Sequence, residues 1–107
     1  MKTPNVLVFP DEKYDEMMAT MAENGKAVDD IAFTALHDNF TYVIIRESFV
    51  EENDDDVVEI VLAHEMAHAS GVADEEEADR KALETLNEHQ QEILKEAWED
   101  RHGHAYI

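Results

Sequence analysis

Between Val57 and His68 the chain reads VVEIVLAHEMAH, and this stretch restricts the fold more than any other. Val57, Val61, His64 and His68 share one helical stripe, while Val58, Leu62 and Met66 form a second stripe beside it. A helix apolar over so much of its circumference belongs inside a core. His64, Glu65 and His68 then need partners, because an unpaired buried charge is costly. Two His at i and i+4 project from one face and Glu65 leans over that face, so a divalent metal between the rings would satisfy all three.

The flanks agree with a helix over 54–70. Glu51 to Asp56 is an acidic run in which Asn53 or Asp54 can cap the helix, and the other carboxylates complement the positive end of its dipole. The run lacks the central glycine and terminal glutamate of a calcium-binding EF-hand loop. Gly71 permits a sharp turn after the helix, and Asp74 with Glu77 has the spacing of a capping box for the next one. From there Ala78, Ala82, Leu83, Leu86, Ile93, Leu94, Ala97 and Trp98 keep helical spacing to about Asp100. They predict a long C-terminal helix of roughly 40 Å at about 1.5 Å per residue. Asn87 to Gln91 is where it would break or bend; an unbroken helix would offer Ile93, Leu94 and Trp98 to a second copy, giving a homodimer.

Upstream, Asn5 to Phe9 is a short apolar run closed by Pro10 and reads as a strand. Asp11 to Asn24 reads as a helix ended by Gly25, its stripe of Tyr14, Met17, Met18 and Met21 serving as core filler. Ile31 to Leu36 and Thr41 to Arg46 are strand-like, and His37-Asp38-Asn39-Phe40 between them predicts a hairpin turn with His37 in solvent. The expected fold is α+β, a single domain over 1–107 in which about three strands form a short mixed sheet packed on the 54–70 helix. One core is what 107 residues can support.

Composition narrows the chemistry. The chain has no cysteine, so a metal must be held by His, Asp or Glu. With 27 acidic and 8 basic residues its formal charge is −19, which repels nucleic acid and anionic lipid. The apolar runs are too short to span a membrane, and Met1 to Asn5 is too weakly basic for a secretion signal, so a cytoplasmic protein is expected.

Catalytic zinc takes three protein ligands, and Asp74, Glu75, Glu76, Glu77 and Asp79 all lie close after Gly71 as candidates for the third. His64-Glu65-x-x-His68 is the signature of the zincin metallopeptidases, and Glu75-Glu76-Glu77-Ala78-Asp79-Arg80 resembles the glutamate helix of their gluzincin branch. The resemblance covers about Thr41 to Leu86. It implies a zincin-like fold, Zn²⁺ held by His64, His68 and Glu75, a supporting role for Asp79 behind a ligand His, and Glu65 as general base in peptide hydrolysis. It also implies that an extended peptide or protein substrate pairs with a sheet edge, with Tyr42 to Glu47 the candidate edge and the other hairpin strand the alternative. A metzincin pattern is met as well, with Gly71 and with Asp74 as ligand, but no Met follows Met66. Glu75 is preferred because Asp74 already serves as a cap. Tyr42, Tyr106, His102 and His104 are candidates to stabilise an oxyanion. The tail from Arg101 to Ile107 is expected to fray, or else to reach the site as donor or plug. The alternative function is an acidic binding or inhibitory protein, a mimic of DNA charge that uses such a scaffold without turnover.

Overall fold

The computed structural model describes residues 5–25 and 29–106; Met1 to Pro4 and the His37 side chain lie outside the described residues. The elements in order are β1 (Asn5–Phe9), α1 (Asp11–Glu23), β2 (Ala32–His37), β3 (Phe40–Arg46), α2 (Glu47–Glu52), α3 (Asp55–Ala69), α4 (Glu75–Leu83), α5 (Glu88–Glu96) and α6 (Trp98–His102). The sheet is mixed and ordered β1-β3-β2, with β1 parallel and β2 antiparallel to β3. The turn between β2 and β3 holds Asp38 and Asn39 at φ 49° and 66°, the left-handed conformation that a tight hairpin requires.

Two apolar layers cover the sheet. On one face Tyr14, Met17, Met18 and Met21 of α1 pack with Phe33 and Ile44, so the methionine stripe is core. On the other, Ala32 and Ile45 meet Val58 of α3 with Val61 and Leu62 beside it. The opposite flank of α3 presents Ile60 and Ala63 to Ala82, Leu83, Leu86, Leu94 and Trp98. α3 is therefore packed on two sides: Val58, Val61 and Leu62 draw on both stripes read from the sequence, whereas Ile60 and Ala63 belong to neither, and the remaining side carries His64, Glu65 and His68.

Of the two outcomes open for the C-terminal segment, the break within Asn87 to Gln91 is the one observed, while the unbroken long helix and the candidate sheet edge need correction. The long C-terminal helix is three short ones: the Asn87 side chain accepts from Gln90 N, and the Gln90 side chain accepts from Asn87 N, a capping box that starts α5 afresh. That break folds Leu94 and Trp98 back onto α3, where they are 2% and 0% exposed, so the face offered for a homodimer is spent within the chain. The candidate edge Tyr42 to Glu47 is also displaced. β3 lies at the centre because β1 pairs with its far side, Glu47 begins α2, and β2 is the edge beside α3. Among the described residues no helix is long and apolar enough to cross a membrane.

Candidate metal centre

The site forms where α3 ends and α4 begins. Gly71, at φ 110°, reverses the chain so that Val72 N donates to Ala67 O at 3.3 Å, and the Val72 carbonyl returns to His68 Nδ1 at 2.7 Å. Asp74 caps α4 by accepting from Glu77 N at 3.0 Å. Asp74 is engaged as a cap, and Glu75 is the acid that reaches Nε2 of both imidazoles. Its Oε2 lies 2.9 Å from His64 Nε2 and its Oε1 3.1 Å from His68 Nε2, while the two Nε2 atoms are 3.0 Å apart. Among the described residues His64, His68 and Glu75 form the one cluster of His and acid side chains whose donor atoms all fall within 4.8 Å of each other.

The other ring nitrogens fix the tautomers. His68 Nδ1 faces a carbonyl oxygen, which can only accept, so this nitrogen carries the proton. His64 Nδ1 lies 2.7 Å from Asp79 Oδ1, and Asp79 is fully buried. Burial alone would raise the Asp79 pKa, but hydrogen bonds from His64, Arg101 and His102 outweigh it and hold the carboxyl well below the usual range. Asp79 is thus an anionic acceptor, and His64 donates to it through Nδ1–H. Both Nε2 atoms are then left as acceptors beside the Glu75 carboxylate.

Lone pairs and negative charge converging at about 3 Å repel unless a cation lies among them. Burial disfavours a charged His64, yet the bond to Asp79 and the charges of Asp79, Glu75 and Glu65 prevail and raise its pKa. The site therefore favours positive charge. Donors held by one zinc at about 2.0–2.1 Å in a tetrahedron stand roughly 3.3 Å from each other, close to the observed spacings. Two imidazoles and a carboxylate also match the donor set of catalytic zinc, and the bonds behind His64 and His68 are those that orient metal-binding His.

Glu65 stands beside this centre, 6% exposed. Thr34 of β2 donates its hydroxyl to Glu65 Oε2 and to the Glu65 carbonyl, both at 3.0 Å, so the edge strand positions the carboxylate. Burial raises the Glu65 pKa, and the Thr34 bond and the charges of His64 and His68 offset this only in part. His64, Glu65 and Glu75 open into a cavity of about 300 Å³ walled by Ile31 just ahead of β2, Ala32 of β2, Ile60 and Val61 of α3, and Arg101 and His102 of α6.

Of the four oxyanion candidates only His102 lines this cavity. Tyr42 packs with the α1 cluster across the sheet, Tyr106 meets Trp98 edge to face with centroids 4.9 Å apart, and His104 binds Glu76 at 2.5 Å. Sequence reasoning missed Arg101, which donates to Asp79 from Nε at 2.6 Å and from Nη2 at 2.9 Å. The available signal was that an acidic chain with three arginines must still supply a counter-charge to any buried carboxylate. No protein-family model, no curated protein and no solved structure matches this chain.

Proposed function

We propose that this chain is a small zinc metallopeptidase of gluzincin type, with a minimal zincin-like fold. The observation that carries the reading is the convergence of His64 Nε2, His68 Nε2 and the Glu75 carboxylate, each ring held from behind by a separate acceptor. Zinc held by these residues would lower the pKa of a bound water to about 7 and polarise a substrate carbonyl.

The remaining work falls to the chain itself. Glu65 takes a proton from the attacking water and delivers it to the leaving amine, and its raised pKa suits both halves of that transfer. Thr34 holds Oε2, which fixes the direction of the carboxylate. An extended peptide pairing with the free edge of β2 would run past the cavity wall of Ile31 and Ala32. Arg101 and His102 line the cavity and would donate to charge developing on the carbonyl oxygen, Arg101 through N–H groups beyond the two given to Asp79 and His102 through the ring nitrogen not facing Asp79.

The deciding experiment pairs zinc content with peptide cleavage in wild type and Glu65→Gln. The expected result is about one zinc per chain in both, with cleavage only in the wild type. Cleavage retained by Glu65→Gln eliminates Glu65 as the base, and a wild type that takes up no zinc eliminates the reading. The charge of −19 favours a second reading, a non-catalytic binder of basic proteins. That reading requires capture of a basic protein at low salt by a zinc-loaded wild type that cleaves nothing.

A further inference from the structure

Asp29 and Asp30 are neighbours ahead of β2, and their surroundings differ. Asp30 Oδ1 accepts from Arg46 Nη2 at 3.0 Å. The Asp29 carboxylate has no Lys or Arg in ion-pair reach among the described residues, although its backbone carbonyl accepts the Tyr14 hydroxyl at 2.6 Å. Asp29 instead lines the cavity that holds Glu65.

The walls next to it are apolar: Ile31, Ile60 and Val61. Among the described residues Arg101 is the only Lys or Arg on the lining, and two of its N–H groups are already committed to Asp79. The cavity therefore joins an aliphatic wall to an exposed carboxylate with no Lys or Arg in ion-pair reach among the described residues. Its complement is a long aliphatic stem with a positive head, which is the side chain of lysine or arginine. The field of a chain carrying −19 acts in the same direction by concentrating cationic peptides around it.

We infer that Asp29, with the Ile31, Ile60 and Val61 wall, forms a subsite for a lysine or arginine side chain, so that the substrates are basic peptide segments. The word substrate rests on the metallopeptidase reading, whereas the binding preference can be measured without turnover. Zinc-loaded Glu65→Gln protein is titrated with a peptide carrying one lysine and with its twin carrying methionine at that position.

The lysine peptide is expected to bind about tenfold tighter. Adding Asp29→Asn should shrink the advantage to about twofold, and Asp29→Lys should pass it to a glutamate twin. Zinc content and circular dichroism establish that each variant is folded and loaded. Equal affinity for the lysine and methionine twins overturns the inference. So does an equal loss of preference in Glu12→Gln, an exposed change on α1 across the sheet, because the preference would then come from the general field. Failure of the wild type to cleave any peptide counts against the metallopeptidase reading alone.

Discussion

Asp79 and Arg46 are mirror images in charge. Asp79 is one carboxylate facing His64, Arg101 and His102; Arg46 is one guanidinium facing Asp11, Asp15 and Asp30. The difference is water. Asp79 is 0% exposed, whereas the three partners of Arg46 have side chains 45%, 65% and 83% exposed. In the dry cluster the carboxylate and its two imidazole donors have no solvent to turn to, and only Arg101, with its side chain 38% exposed, reaches water. In the wet cluster each carboxylate can exchange its partner for water, so much of what Arg46 contributes is the packing of its guanidinium over the Tyr14 ring at 4.5 Å. One arrangement aims an imidazole at the cluster of His68 and Glu75, and the other fastens α1 to the approach to β2 and the end of β3.

The largest effect should come from removing the dry centre. Asp79→Ala leaves donors of His64, Arg101 and His102 without their acceptor and is expected to cost about 3–5 kcal/mol in chemical denaturation. Zinc affinity should fall about 10–100-fold, since His64 loses the bond that sets its tautomer. Full zinc affinity in a folded Asp79→Ala would show that the carboxylate supports the fold and not the ring.

Arg46→Met should cost less, about 1–2 kcal/mol, through lost cation–π contact and exposed ion pairs. Its zinc affinity should equal that of wild type. A loss matching that of Asp79→Ala would erase the distinction between the clusters.

Salt separates them further. Between about 0.1 and about 2 M KCl the Debye length contracts from about 10 Å to a few ångströms, so the ion-pair part of the Arg46→Met deficit should shrink while the Asp79→Ala deficit persists. The wild-type Tm should rise over the same range, because 27 acidic residues against 8 basic ones repel each other in the folded state. A falling Tm would mean that paired charges, and not this repulsion, dominate the electrostatics.

What sequence could deliver follows the range of the interactions involved. α3 was legible because its two stripes, Gly71 and the Asp74 cap are local signals, and the same signals placed Glu75 one residue after the cap. The order of the strands was not, since a hairpin pattern looks identical whichever strand accepts β1; the parallel β1–β3 pairing is set by where α1 crosses the sheet. The break before α5 was written in Asn87 and Gln90 but masked by apolar spacing that runs straight through it. Arg101 stands 22 residues from Asp79, and no spacing rule connects α6 to α4.

The smallest effect lies at the rim of the wet cluster and tests whether water governs it. The Asp11 pKa is lowered by hydrogen bonds from Ser48, whose backbone N lies 3.0 Å from Oδ1, and further by Arg46. A carboxyl whose folded pKa is depressed stabilises the fold above its ordinary value of 3.8 and loses that contribution as pH falls through the folded pKa. Wild type should therefore melt slightly above Asp11→Asn at pH 6, and the gap should close as pH drops below 3.8. Because Asp11 lies at the surface, the gap should also narrow in KCl, as for Arg46→Met. A gap that persists at low pH would assign the Asp11 contribution to bonds that the protonated acid or the Asn amide handles differently, and not to its charge.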